Sequence, residues 1–436
     1  MAARLTAAAI LVASAAIAWL AITFALVARV LQTAIALSLV YVAYLALRGY
    51  KAMRDARRPS PAAATPPWVT LLVAARNEAP VIASTIAGLL RQDYAMGGVP
   101  HFDVLVVDDG SSDETGALAR KAGGHLPERL VVLRRDPDDG PRMKAAALSY
   151  AHPQVRGEVI GVVDADATVA PDFVSRVMEA WRSEPDAGAI QAQRRAHNRA
   201  AGWLAAAQDE ELLMDMASQC GRRATDGTAE LRGNGMFVRR EALERVGGWN
   251  PTALTEDLEL STRLVAEGER IALAPLAEVD EEAVTSLPAL WRQRLRWAEG
   301  SIRRLIDLGP GLLRARHVPV GRKLDFLAFT AEFLIPPLFV TTVIASLLTI
   351  PLPQGADWTV PASLFVGYGI GTFLLALAGV AAQGQGGLGL VGRATRGSLF
   401  LSHWLLVVPA ALTRIAIGRE ATTFVQTRRI GHLPER

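Results

Sequence analysis

The chain has 436 residues, 51% of them hydrophobic and 20% charged, with a formal net charge of +3. That is enough for one sizeable catalytic domain with accessory elements, and the apolar share lies between a soluble and a fully membrane-buried protein. The small basic excess sits beside apolar segments and does not interleave with aromatics, which argues against nucleic acid, and the lone Cys220 cannot form an intrachain disulfide.

Taken in chain order, Leu5 to Ala28 and Leu31 to Leu47 are uninterrupted by charge apart from Arg29, which lies between them. About 20 apolar residues cross a bilayer as a helix. The pattern predicts a membrane hairpin over 1–50 with Arg29 in its turn. A cleaved leader is the lesser reading, because a second apolar run follows at once. Arg48, Lys51, Arg54, Arg57 and Arg58 come next. By the positive-inside preference this flank holds the following domain in the cytosol, in a multi-pass protein of the inner or plasma membrane. Pro59 to Pro67 ends a short stiff linker, 51–67.

From 68 to 285 the periodicity alternates. Val69–Ala74, Val104–Val107, Leu130–Leu133 and Ile160–Val163 read as strands, and Val81–Leu90 and Thr115–Ala122 as helices. Such alternation predicts an α/β fold with a mostly parallel sheet, and ligands of such sheets bind beyond the carboxyl ends of the strands. Those ends carry Arg76-Asn77-Glu78, Asp108-Asp109-Gly110 and Asp164-Ala165-Asp166.

Over 286–322 the pattern becomes amphipathic. Trp291, Leu295, Ile302 and Ile306 make an apolar stripe on a helix, with Arg292, Arg296 and Arg303 on another face, as in a helix lying in a membrane interface. Membrane helices follow over 323–417, at Phe333–Leu352, Val360–Ala382 and Ser398–Ile417. With the hairpin these make five spans. An odd count sends the basic tail, 418–436, with Arg419, Arg428 and Arg429, to the side the charge rule disfavours. The last segment is therefore re-entrant or interfacial, or the count differs.

Two carboxylates at i and i+2 after a strand, Asp164 and Asp166, can share a hard divalent cation with a diphosphate. Thr255-Glu256-Asp257 opens a helix and adds carboxylates, although helix starts favour acidic residues in any case. The ordered set V-A-A-R-N-E (73–78), V-V-D-D-G-S-S-D (106–113), D-A-D (164–166), T-E-D (255–257) and Q-R-L-R-W (293–297) resembles glycosyltransferase family 2. That resemblance implies a GT-A nucleotide-diphospho-sugar transferase domain, here flanked by transmembrane helices. It implies that Glu78 with Asp108 or Asp109 holds the uracil and ribose of a UDP-sugar, with Lys144 near the donor. It further implies that Asp166, helped by Asp164, binds Mg2+ or Mn2+. Asp257, beside Glu256, becomes the general base, and Gln293, Arg294, Arg296 and Trp297 close over the diphosphate and acceptor.

Loss of a sugar through an oxocarbenium-like state suits one carboxylate taking the acceptor proton on one face, so the chemistry expected is inversion. Residues 230–240, E-L-R-G-N-G-M-F-V-R-R, depart from the pattern of cellulose- and hyaluronan-type synthases. With G-G-W-N (247–250) and R-W-A-E-G (296–300) they are similar to bacterial enzymes that glucosylate diacylglycerol. Gly233 and Gly235 flanking Asn234 would let backbone approach the acceptor closely. The expected reaction is hexose transfer, with glucose the expected sugar, to a membrane lipid at the cytosolic leaflet, with no obligate protein partner. A processive polysaccharide synthase is the alternative. The apolar spans carry few polar residues to line a polymer channel, His403 and Trp404 being the main exceptions.

Overall fold

The computed structural model describes residues 1–57, 66–124, 126–136, 138–351, 357–384 and 386–419. Residues 58–65 of the linker, with Arg58, and the tail from 420 on, with Arg428 and Arg429, lie outside these. The strands are β1 (Val69–Ala75), β2 (Ala95–Met96), β3 (Val99–Pro100), β4 (Phe102–Asp109), β5 (Leu130–Arg135), β6 (Val159–Val162), β7 (Thr168–Val169), β8 (Ala187–Ala196), β9 (Met236–Arg239) and β10 (Arg270–Glu281). Between β1 and β10 the helices are α3 (Ile82–Leu90), α4 (Thr115–Ala122), α5 (Lys144–Ala151), α6 (Phe173–Arg182), α7 (Trp203–Arg223), α8 (Arg240–Arg245) and α9 (Glu256–Ala266). These are preceded by α1 (Ala2–Thr23) and α2 (Ala25–Asp55). They are followed by α10 (Leu287–Arg314), α11 (Val320–Ala331), α12 (Ile335–Thr349), α13 (Thr359–Ala382), α14 (Gly387–Leu401) and α15 (Trp404–Ala416).

The main sheet runs β5-β4-β1-β6-β9-β8-β10-β7, with β2 and β3 forming a separate hairpin. It is mostly parallel, as the alternation predicts, with β9 and β7 antiparallel to their neighbours. Every residue of β4 is buried, as expected of a strand covered on both faces. One face packs on Ile82, Ile86, Phe173 and Trp181, the other on Leu148, Leu260, Leu264 and Trp249. Parallel strands point the same way, so Ala75, Asp109 and Val162 end at one edge, and the loops that follow them lie together.

Among the described residues five stretches are long and apolar enough to cross a membrane: Ala2–Thr23, Ala25–Asp55, Val320–Thr349, Thr359–Ala382 and Gly387–Ala416. The first turn falls at Phe24 and not at Arg29. Phe24 is extended (φ −122°, ψ 111°); its N–H donates to the Leu20 carbonyl, and its own carbonyl accepts from Val27 and Ala28. One residue thus closes α1 and opens α2, a corner that unbroken hydrophobicity conceals, and Arg29 lies inside α2.

The stripe expected to meet lipid on α10 is covered by protein instead. Ile302 is buried against Ala7 of α1 and Val407, Val408 and Ala411 of α15, with Leu295 and Ile306 packed on the same cluster. Trp291 remains exposed. The final segment is broken at Ser402 and His403. Arg393 and Arg396 of α14 pair with the fully buried Glu210 of α7, while Arg414 of α15 pairs with Glu299 of α10 at 2.5 Å. Both ends of α14–α15 are therefore tied to the catalytic side.

Candidate active site

The loop after β1 is zipped to the loop after β4. Ser111 Oγ accepts the Asn77 N–H (3.0 Å), Asn77 Oδ1 accepts the Ser112 N–H (2.9 Å), and Thr115 Oγ1 accepts the Glu78 N–H (2.8 Å). These bonds hold Asn77 in the left-handed region, φ 53°. The two neighbouring aspartates point apart. Asp108 is fully buried, accepting from the Ser111 N–H and from Arg134 (2.9 Å), so it braces the loop and does not reach the cleft as expected for a nucleotide contact. Asp109 lines the cleft, held by the buried Arg135 at 2.5 Å. Arg135 also donates to the Asp139 and Pro141 carbonyls and so orders the approach to Lys144.

Lys144, the first residue of α5, stands between the acidic clusters, 2.5 Å from Asp164 and 3.3 Å from Glu256. Burial opposes its charge, but Asp164, Glu256 and Asp257 outweigh burial and raise its pKa above the ordinary lysine range. Asp257 is the opposite case. Burial and then the neighbouring Glu256 push its carboxyl up to about 6, against the Leu258 N–H, Lys144 and Arg232, which favour the anion. Asp164, Asp166 and Asp257 all line one cavity of about 1000 Å³.

Gly233, expected near the acceptor, sits at φ 78°, where a Cβ would lie 3.2 Å from Asp257 Oδ2. Its glycine lets the main chain pass beside the carboxylate without strain. Asn234 lines the cavity too, but it is 1% exposed and held on both sides: its Oδ1 accepts the Asp164 N–H (3.1 Å), and its carbonyl accepts Gln191 Nε2 (2.8 Å). It positions the D-A-D turn. Gly300 of α10 lies so near Thr255 that a Cβ would stand 2.3 Å from Thr255 Cγ2, which seats the helix on the T-E-D turn.

Residues 66–300 match the family model described as "Glycosyltransferase like family 2". The chain belongs to that family. This glycosyltransferase is 34% identical to the beta-monoglucosyldiacylglycerol synthase of Synechocystis sp. over 83% of its own length and 74% of the relative's. It is 33% identical to the enzyme of the same name from Trichormus variabilis, over 84% and 77%. The poly-beta-1,6-N-acetyl-D-glucosamine synthase of Staphylococcus aureus is 30% identical over 53% of this chain and 54% of its own. Among solved structures the mannosyltransferase PcManGT from Pyrobaculum calidifontis, in complex with GDP-Man and Mn2+, superposes with a TM-score of 0.54. Its sequence identity is 23%, with 89% of this chain and 98% of that one covered. The fold is thus that of the GT-A glycosyltransferases.

The Q-R-L-R-W segment of the glycosyltransferase divides its labour. Gln293, Arg296 and Trp297 line the cavity; Gln293 Oε1 is buried with no hydrogen-bond partner among the described residues. Arg294 is not free to close over a diphosphate. It is 3% exposed, paired to Glu211 at 2.5 Å and stacked 4.2 Å from the Trp297 ring, so it is part of the wall. Trp297 is also flanked by Arg194, itself held by both carboxylate oxygens of Glu281 (2.7 and 2.8 Å).

A further ionic network escaped the sequence reading. Arg232 bridges Asp215 (2.8 Å) and Glu230 (2.7 Å), and Glu230 also holds the buried Arg304 (2.7 Å). Burial alone would raise the Glu230 carboxyl, but Arg304, Arg232 and Arg222 outweigh it and hold the pKa down to about 2. The available signal was Arg232 preceding the glycine pair, but its partners lie on distant elements.

Proposed function

We propose that this glycosyltransferase moves a hexose, glucose in our reading, from a UDP-sugar to the hydroxyl of a membrane lipid such as diacylglycerol, with inversion at the anomeric carbon. The observation that carries the reading is the shape of this cavity. It begins at Glu78, Asp109, Asp166 and Asp257 and continues into an apolar arm lined by Leu31, Ile35 and Leu39 of α2, Leu338 of α12 and Leu364 and Leu375 of α13. The likeness to the lipid-glucosylating relatives spans 366 residues, more of the chain than the 237 residues matched by the polysaccharide synthase, and favours one sugar on a lipid over a growing polymer.

Asp164 and Asp166 fit a divalent ion, Mg2+ or Mn2+. Both are hard oxygen donors on the cavity wall, and an ion of this kind shared with a substrate diphosphate needs only one or two carboxylates from the protein. Bound there, it would stabilise the charge that develops on the departing diphosphate. The chain's own residues divide the rest. Glu78 and Asp109 receive uracil and ribose, Lys144 and Arg296 add cationic charge beside the leaving group, and Gln293 offers an acceptor oxygen. Asp257 takes the acceptor hydroxyl's proton, and a base of pKa near 6 is poised for that work at neutral pH. Trp297, on the cavity wall, offers an apolar ring surface to the acceptor. The deciding experiment gives detergent-solubilised protein radiolabelled UDP-glucose, diacylglycerol and Mg2+. Label in a small organic-phase product is expected, and label confined to an aqueous polymer would reverse the assignment.

The membrane arrangement we propose has four crossings, α1, α2, α12 and α13. α14–α15 dips in and returns, since Arg393, Arg396 and Arg414 tie both its ends to α7 and α10. An even count puts the basic tail on the cytosolic side with the catalytic domain, as the charge rule favours. In sealed inside-out vesicles a C-terminal tag should be removed by added protease; protection of the tag would overturn the four-crossing arrangement.

A further inference from the structure

The cavity reaches the membrane-length helices, with Ala34 and Ser38 of α2, Leu338 of α12 and Leu364 of α13 in its wall. α2 packs on α13 and α7, and α12 packs on α1 and α15, which leaves a gap between α2 and the start of α12. On the catalytic side the gap is closed by Tyr41, whose hydroxyl donates to Asp325 of α11 at 3.3 Å. On the far side Leu31 and Ile35 of α2 and Ile335 and Leu338 of α12 pack on one cluster of Ala21, Ala28, Val360 and Leu364. Between these contacts lie Ala34 and Ser38 on α2 and Glu332 on the single turn Glu332–Leu334 that joins α11 to α12. All three are exposed, and all three line the cavity.

Ala34 and Ser38 are small side chains left accessible on a membrane-length helix, so no helix contact fills the space in front of them. The carboxylate is the second sign. Glu332 makes no hydrogen bond or salt bridge among the described residues, and the charged groups that act on it are Arg222, Glu230, Asp325 and Arg232. A carboxylate at membrane depth is costly unless it faces a polar path or ligand.

We infer that the gap framed by Ala34, Ser38 and Glu332 is a lateral portal through which a lipid acceptor slides from the bilayer. Its acyl chains come to rest in the apolar arm and its hydroxyl beside Asp257. The inference rests on the lipid-acceptor reading above. The occupant is a lipid because the arm is apolar, opens sideways toward the surface of helices long enough to span a bilayer, and is continuous with the reacting carboxylates. Glu332 offers the passing headgroup a polar contact at the threshold.

The test is to block the portal. Ala34→Trp and Ser38→Trp are compared with wild type and with Leu37→Trp, which lies on the same helix but is 67% exposed and does not line the cavity. Each is assayed in vesicles containing dioleoylglycerol. Overfilling a tight space predicts a loss of about tenfold or more in kcat/KM for the lipid in both portal variants. Leu37→Trp should match wild type. Acceptor-independent hydrolysis of UDP-glucose and UDP affinity should be unchanged in all of them. The loss should also shrink with dioctanoylglycerol, a dependence on chain length that a merely misfolded variant would not show. Near-normal rates in both portal variants, or equal damage in Leu37→Trp, overturn the portal. If wild type itself labels no lipid, the acceptor assignment fails and not the portal geometry.

Discussion

Asp257→Asn should reduce kcat by about 10²–10⁴-fold, the range a positioned general base contributes. UDP affinity should stay within about threefold, because the proposed roles put the nucleotide on Glu78 and Asp109 and leave Asp257 to the acceptor. The same variant should unfold at a higher temperature at pH 7. Asp257 has a folded pKa of about 6 against an ordinary 3.8, so between those values the folded chain keeps a proton that the unfolded chain releases. Stability therefore falls as pH rises through this window, and an uncharged amide escapes the penalty. Wild-type kcat/KM should fall about tenfold per unit below pH 6 as the base protonates. A variant that is inactive and also less stable would point to a structural role for Asp257, and retention of near-normal rates would remove it from the mechanism.

Asp166→Asn should lower kcat/KM by about 10²–10³-fold, the loss typical of removing one preorganised charge-stabilising group. The diagnostic readout is donor affinity measured with and without divalent ion. In wild type Mg2+ or Mn2+ should tighten UDP-glucose binding and a chelator should abolish turnover. In Asp166→Asn the tightening should largely vanish while metal-free affinity persists. Equal tightening in both proteins would show that the ion is held elsewhere. Asp164→Asn is expected to act through Lys144 as well, since that ammonium lies 2.5 Å from its carboxylate.

Several features were legible from local chemistry. Strand β4 and helix α4 are encoded by Val104–Val107 and by Thr115–Ala122, whose periodicities are complete within a few residues. Strands β8 and β10 were not found. A-G-A-I-Q-A-Q-R-R-A carries no strong alternation, and Pro275 interrupts β10; their pairing partners, not their propensities, make them strands. The carboxylates were identifiable by type but not by direction. Asp108 and Asp109 are adjacent and alternate across the pleat, and which of the two faces the cleft is fixed by Arg134 and Arg135 on the neighbouring strand.

The helix α7 shows the boundary most clearly. Asp209, Glu210 and Glu211 form an acidic run, and all three are buried. Asp209 is held by Arg195, Glu210 by Arg393 and Arg396, and Glu211 by Arg294. A buried carboxylate is tolerable only beside a cation, and here the cations arrive from a strand, the interface helix and the last membrane segment. Sequence by itself determined the reaction class, the acidic segments that come to line the cavity and the apolar lengths that seek a membrane, because each depends on residue type and short spacing. Tertiary structure alone decided which aspartate faces the cleft, that α10 is covered by α1 and α15, and that the reaction cavity opens into an apolar arm. Those outcomes depend on contacts between residues far apart in the chain, which no local pattern encodes.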